Sequence, residues 1–243
     1  MRANTIRLYL EQRLGDGLEV ACTRAQANYL LNVMRLNEGA EILVFDGESG
    51  EWRAVVSRQK RTTCSLHVLE QTRAQEPGPD IHYLFAPVKR VRLDFIAQKV
   101  TELGVAALCP VLTRLTTARR VNCGRLRANV IEAAEQCGVL RVPQVCELQA
   151  LSKMLDQWDP ARRLIYCDEA APITAPLEAL AGIARGPLAV LVGPEGGFDP
   201  GERERLRGLD FVLPLSLGPR VMRADTAAVA VLALVNAVLG DWR

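Results

Sequence analysis

Apolar positions along residues 5–70 fall in short runs: Ile6–Leu10, Leu18–Cys22, Glu41–Phe45, Trp52–Val56 and Cys64–Leu69. Runs of this length between polar turn residues predict strands, and Asp46-Gly47-Glu48-Ser49-Gly50 predicts the turn between two of them. One helix interrupts the series. Thr23 and Gln26 stand three apart as a capping box, and Ala27, Leu30, Leu31 and Met34 follow at helical spacing. Five strands and one helix predict a small β-barrel.

The pattern changes after Gln71–Asp80, a polar stretch holding Pro77-Gly78-Pro79. Pro and Gly in a polar run mark a domain boundary, which predicts a β-rich domain over 1–73, a linker over 74–80 and a second domain over 81–243. In that second part strands and helices alternate. Ile81–Ala86, Ala106–Leu112, Leu164–Cys167, Leu188–Val192 and Phe211–Leu215 read as strands. Between and after them Leu93–Leu103, Arg125–Cys137, Leu177–Ile183, a helix capped by Asp199 with Pro200 and Glu202 behind it, and Thr226–Leu239 read as helices. The alternation predicts an α/β domain with a mostly parallel sheet covered on both faces. Thr226–Leu239 is apolar almost all round, so it predicts a buried helix whose extra face meets either the core or a second copy of the chain.

Composition adds exclusions. The chain has 243 residues, 49% hydrophobic and 24% charged, which excludes a disordered or low-complexity protein. Its net charge of +2 hides an asymmetry: +1 over residues 1–74, +7 over 89–127 and −6 over the remainder. The basic stretch is a candidate footprint for a polyanion, or a solvated helix face. The N-terminus shows no apolar signal segment, and no apolar run is long enough to span a bilayer. Seven scattered Cys with no C-x-x-C, and only His67 and His82 as imidazoles, argue against a metal site and for free thiols in a cytoplasmic protein.

Two predicted strand ends carry the candidate chemistry. Leu191-Val192-Gly193-Pro194-Glu195-Gly196-Gly197-Phe198 runs from a strand through a glycine-rich loop into a capped helix. Its spacing fits neither a dinucleotide fingerprint nor a P-loop, but glycines at the carboxyl end of a parallel strand let backbone approach a ligand. Leu215-Ser216-Leu217-Gly218-Pro219-Arg220-Val221-Met222-Arg223-Ala224-Asp225-Thr226 crowds two Arg and one Asp between apolar flanks. Charges there must pair or face a ligand. An Arg223–Asp225 or Arg220–Glu195 ion pair is the purely structural alternative.

GPEGG at 193–197 and LGPRVMRADTA at 217–227 resemble the two signature loops of the SPOUT-superfamily RNA methyltransferases, and most closely those of the RsmE type, the 16S rRNA uridine N3-methyltransferases. QKVTELGV at 98–105, EAAEQCG at 132–138 and the order of the two domains are similar to that family as well. Where the family usually has Glu this chain has Asp225. Val139 stands in place of an Arg, with Arg141 two positions on, and Arg114 in place of an acid.

The resemblance implies a trefoil-knotted α/β methyltransferase domain behind a PUA-like β-barrel RNA-binding domain, working as a homodimer. It implies S-adenosylmethionine as methyl donor, no metal, and the 16S rRNA of the small ribosomal subunit as partner, with no membrane. Leu191, Gly193, Glu195, Gly197, Leu215, Leu217, Gly218, Val221, Met222, Arg223 and Thr226 are then expected to line the donor pocket. Arg220 or Arg223 is the expected stabiliser of the uracil anion, and Glu195 or Asp225 the expected base. Lys89, Arg90, Arg92, Arg119 and Arg120, in or beside predicted loops, are the expected RNA contacts. Another RNA as substrate, or RNA binding without catalysis, remain the alternatives.

Overall fold

The computed structural model describes residues 6–171 and 175–242. The chain divides into two compact units, Met1–Pro77 with Ala134–Val142, and Gly78–Ala133 with Pro143–Arg243.

The first unit holds β1 (Arg7–Tyr9), β2 (Glu19–Ala21), α1 (Arg24–Asn28), β3 (Glu41–Phe45), β4 (Glu51–Lys60) and β5 (Thr63–Arg73). They form one sheet in the order β1-β3-β4-β5-β2, antiparallel except for the β1–β3 pair. Alternate residues of the strands face one core: Ile42 and Val44, Ala54 and Val56, and Leu66 and Val68 are all buried, with Leu30 and Val20 against them.

The Thr23 capping box forms as expected: Gln26 N donates to Thr23 Oγ1 at 3.3 Å and Thr23 N to Gln26 Oε1 at 2.9 Å. The helix beyond it is shorter than its apolar spacing suggests. After α1 the backbone widens into a π-helical turn, Tyr29–Val33, and Met34 N donates to Tyr29 O at 2.9 Å. β4 and β5 are longer than expected at opposite ends of their ladder: β4 runs on through polar Ser57–Lys60 beside Thr63–Ser65, and β5 runs on through polar Glu70–Arg73 beside Glu51 and Trp52.

Asp46 holds the predicted turn. Its carboxylate accepts from Leu14 N at 2.9 Å, Glu48 N at 2.8 Å, Ser49 N at 2.7 Å and the Ser49 hydroxyl. Burial pushes this carboxyl upward, but those donors outweigh burial and hold it below the ordinary carboxylate range.

Residues 134–142 belong to this unit through Arg7. Its guanidinium pairs with Glu51 at 2.8 Å and donates to Ala134 O at 2.5 Å, Glu135 O at 3.0 Å and Val139 O at 3.3 Å. Glu135 accepts in turn from Tyr9 N at 2.8 Å. Two carbonyls of the EAAEQCG stretch, those of Ala134 and Glu135, are therefore helix-end acceptors that a half-buried arginine satisfies.

The second unit comprises β6 (Ile81–Phe85), α2 (Arg90–Glu102), β7 (Ala107–Leu112), α3 (Cys123–Cys137), β8 (Gln144–Val145), β9 (Gln149–Ala150), α4 (Leu151–Asp156), β10 (Arg163–Cys167), α5 (Pro176–Ala181), β11 (Leu188–Val192), α6 (Pro200–Arg207), β12 (Val212–Leu215) and α7 (Ala224–Val238); the last turn of α3 is shared with the first unit. Its strands run in the order β12-β10-β11-β6-β7-β8, with β9 also on β7, and all are parallel. β8, β9 and α4 are too short and too polar to show in the sequence pattern.

Every residue of β11 is buried, as expected for a central parallel strand. α7 buries Ala227, Ala228, Val231, Leu232, Val235 and Asn236, and Asn236 Nδ2 donates to Leu103 O at 2.8 Å. Val229, Ala230, Ala233 and Leu234 remain half-buried on its other side. Among the described residues no helix is long and apolar enough to cross a membrane.

Candidate active site

β12, β10 and β11 are neighbours in the sheet and point the same way, so their carboxyl ends lie side by side. Crevices at such strand ends are where ligands bind in parallel α/β sheets. Here the loops that leave the three strands enclose a cleft of about 570 Å³, within the usual range for a small-molecule site.

The β11 loop contributes Gly193 to Phe198. Gly193 has to be glycine, because a Cβ there would stand 2.3 Å from Cε2 of Phe198. That ring is buried and meets Tyr166 edge-on at 4.8 Å, which fixes the cleft floor. α6 begins directly behind with Asp199 as cap: its Oδ1 accepts from Gly201 N at 3.0 Å, and Glu202 returns the bond to Asp199 N at 3.3 Å. Arg114 takes a place in this cap, its Nη1 on Asp199 at 3.0 Å and its backbone N on Glu202 at 2.9 Å.

The β12 loop contributes Leu215, Leu217, Gly218, Arg220, Val221, Met222 and Arg223. Gly218 has φ of 112°, a conformation that side chains rarely adopt.

The third wall was not singled out from the sequence. Cys167, the last residue of β10, and Asp168 and Glu169 after it line the cleft between the two glycine loops. Asp168 is fully buried and holds two arginines of α6: Arg203 Nη1 at 3.2 Å and Arg207 Nη2 at 2.5 Å. Glu169 pairs with Arg203 at 3.0 Å. Burial pushes the Cys167 thiol up to about 12, so it stays neutral and is a poor nucleophile. Two acids directly after a predicted strand are the one sequence signal for it, and they become cleft residues only because β10 lies between β12 and β11.

Gly193, Glu195, Gly197, Leu215, Leu217, Gly218, Arg220, Val221, Met222 and Arg223 all come to this cleft. Leu191 is buried in the strand beneath, and Asp225 and Thr226 are not among its lining residues. Neither structural ion pair forms. Glu195 pairs instead with Arg92 of α2, which also lines the cleft, and Asp225 Oδ1 accepts from Thr226 N at 2.9 Å. Arg220 and Arg223 are exposed, with no acidic partner among the described residues.

The basic stretch over 89–127 is partly neutralised within the fold. Lys99 pairs with Glu102 at 2.7 Å and Arg114 with Asp199 at 3.0 Å, while Arg125 pairs with Asp94. Lys89, Arg119 and Arg120 are exposed and unpaired among the described residues. The side chain of Arg90 lies outside the described residues. No three His, Cys, Asp or Glu side chains come together as a metal site among the described residues.

A parallel α/β domain with a glycine-lined cleft at three adjacent strand ends, alongside a separate β-rich module, defines a class of ligand-binding enzyme. The chain belongs to the RNA methyltransferase family: the RNA methyltransferase domain matches residues 75–236 and the RNA methyltransferase PUA domain matches residues 23–69.

Among its relatives, "Ribosomal RNA small subunit methyltransferase E" of Rickettsia conorii is 27% identical over 95% of this chain and 94% of its own. The protein of the same name from a Synechocystis species is 30% identical over 90% of this chain and 73% of its own. Among solved structures, ribosomal RNA small subunit methyltransferase E from Neisseria gonorrhoeae, bound to S-adenosyl methionine, superposes with a TM-score of 0.88 at 26% identity, covering 99% of this chain and 100% of that one. A methyltransferase from Legionella pneumophila in complex with the same cofactor gives 0.86 at 27% identity, covering 98% and 100%.

Proposed function

We propose that this protein methylates N3 of a uridine in the 16S rRNA of the small ribosomal subunit, with S-adenosylmethionine as donor. It acts in the cytoplasm as a homodimer. The observation that carries the reading is the three-loop cleft with Arg220, Arg223 and Glu195 on its wall.

The cleft suits the donor. Val192, Leu215, Leu217, Met222 and Ala227 supply apolar surface for an adenine ring. Gly193 and Gly218 bring backbone N–H and C=O groups within reach of its polar edge. Glu169 and Glu195, paired with Arg203 and Arg92, bring carboxylates to the wall of a site whose proposed ligand carries ammonium and sulfonium charges. When bound, the donor supplies an electrophilic methyl group.

The chain's own residues must deal with the acceptor. Neutral uracil carries a proton on N3 and is a weak nucleophile until that proton leaves. Glu195 is the candidate base, directly or through water, and it is favoured over Asp225 because it lines the cleft. Arg220 and Arg223 donate to the uracil carbonyl oxygens, where the anion's charge collects. N3 lies on the pairing edge, so the target base enters unpaired or flipped out. Lys89, Arg90, Arg119 and Arg120 are the proposed phosphate contacts, with Arg92 linking them to Glu195. The half-buried side of α7, Val229, Ala230, Ala233 and Leu234, is the proposed dimer surface. The β-rich module over 1–73 is the proposed RNA-binding domain.

Calorimetric titration with S-adenosylmethionine tests the enzyme reading. Saturable binding to the isolated protein is expected. Absence of binding at millimolar donor would leave only an RNA-binding protein.

A further inference from the structure

Four of the seven cysteines stand opposite one another on neighbouring strands. In the first unit Ala21 pairs with Ser65 in the β2–β5 ladder, and one step on Cys22 N donates to Cys64 O at 3.1 Å. In the second unit Leu108 pairs with Val145 in the parallel β7–β8 ladder. One step on Cys146 N donates to Leu108 O at 2.9 Å, which sets Cys146 beside Cys109. The ladder stops there, because the next donor would be Pro110, which has no N–H. The Cys146 carbonyl accepts instead from the Cys123 thiol at 3.8 Å.

Residues opposite each other in a ladder put their side chains on the same face, and Cys109 and Cys146 pack in one apolar cluster. Neighbouring strands lie about 4.8 Å apart, inside the roughly 4.4–6.8 Å between Cα atoms that a disulfide spans. The two sulfurs hydrogen-bond each other. Cys109 is buried and Cys146 half-buried, so the bond is polarised. Its bond to Cys146, with burial behind it, pushes the Cys109 thiol far up. The hydrogen bond from Cys109 outweighs burial at Cys146 and holds that thiol below its ordinary range. Cys146 is thus the attacking sulfur and Cys109 the thiol that resolves it. In the other pair, burial first and then Cys64 push the Cys22 thiol up to about 12. A cavity of about 250 Å³ opens onto Cys109, with His82, Gln149, Trp158 and Arg162 in its wall. It shares no lining residue with the strand-end cleft.

From this cross-strand pair we infer a redox site separate from the strand-end cleft: hydrogen peroxide oxidises Cys109 and Cys146 to a reversible disulfide that ties β7 to β8. The Cys146 sulfur attacks one oxygen of the peroxide and the O–O bond breaks. The departing hydroxide becomes water with the proton that Cys146 gave up, and the sulfur is left as a sulfenic acid. The Cys109 sulfur then attacks it. The S–S bond forms, the S–O bond breaks, and the second hydroxide leaves as water with the Cys109 proton. Two thiols are oxidised and one peroxide is reduced. The new bond closes the chain from Cys109 to Cys146, which holds α3 and the segment with Arg114, Arg119 and Arg120. β6 separates β7 and β8 from the three strands whose ends form the cleft.

Peroxide treatment of the whole protein, followed by alkylation of the remaining thiols and peptide mapping, tests this. The expected product is a peptide pair joined through Cys109 and Cys146 and reopened by dithiothreitol. The oxidised protein is expected to melt several degrees above the reduced one, because the cross-link constrains the denatured chain. S-adenosylmethionine is expected to bind both forms equally. Cys109→Ser keeps a donor for the Cys146 sulfur but cannot resolve the sulfenic acid, so a dimedone adduct is expected at Cys146.

If all seven thiols survive peroxide, the inference falls. It falls as well if the disulfide that forms joins Cys22 to Cys64, or Cys123 to Cys146, instead. A Cys109–Cys146 disulfide in the wild type with no adduct at Cys146 in Cys109→Ser overturns the assignment of Cys146 as the attacking sulfur.

Discussion

Arg220→Ala is expected to fold and bind the methyl donor like the wild type, yet to transfer the methyl group on the order of 10²–10³-fold more slowly, the usual cost of removing one preorganised donor from a developing oxyanion. Arg220 lines the cleft, is exposed, and has no acidic partner among the described residues. Its removal therefore strands no buried charge and opens no cavity, and stability should change by no more than about 0.5 kcal/mol. Arg223→Ala should slow transfer as well. Because Arg223 lies where the cleft meets the first turn of α7, with its carbonyl accepting from Ala227 N at 2.8 Å, this variant should weaken donor binding too. Stopped-flow transfer rates measured beside donor affinity separate the two. Wild-type transfer in both variants would remove the arginines from the chemistry.

Gly193→Ala should fail for a different reason. The new Cβ meets three atoms of the Phe198 ring at 2.3–2.9 Å. Phe198 is 5% exposed and held edge-on against Tyr166, so it cannot step aside without opening the core beneath the cleft. Overpacking of this kind costs about 1–3 kcal/mol, and in a chain of this size each kcal/mol lowers the melting point by roughly 2–4 °C. Donor affinity should fall at least about tenfold, since the displaced ring forms the floor of the site. Gly196→Ala is the control. Its Cβ would meet Leu115 at 3.7 Å, an ordinary contact, and it should melt and bind as the wild type does. Equal donor affinity in both variants would show that the β11 loop does not form the donor site.

Much of this architecture was legible before the structure. The alternation after Asp80 announced the parallel sheet, and Asp199-Pro200-Gly201-Glu202 announced a capped helix because each residue type there answers a local backbone need. What escaped the pattern has no local cause. β4 runs on through Ser57–Lys60 and β5 through Glu70–Arg73, polar stretches at opposite ends of one ladder, so period-two hydrophobicity stops while the pairing continues. Arg7 reaches the carbonyls of Ala134, Glu135 and Val139 across more than 120 positions of sequence, a contact that no window of residues reveals.

At the candidate site, the two glycine loops could be found from spacing. The Cys167-Asp168-Glu169 wall needed the strand order, because only β10 lying between β12 and β11 makes its end part of the cleft. The surplus of +7 over residues 89–127 also changes in meaning. Lys99, Arg114 and Arg125 are paired with acids of the same unit, so the stretch carries less uncompensated charge than its sequence suggests.

The most direct test of the central claim is a nucleoside digest of small-subunit rRNA from cells that lack this protein, compared with cells that carry it and with cells that carry Arg220→Ala. The account predicts 3-methyluridine in the presence of the wild-type protein, its loss without the protein, and its near-absence with Arg220→Ala. An unchanged amount of 3-methyluridine in all three would contradict it.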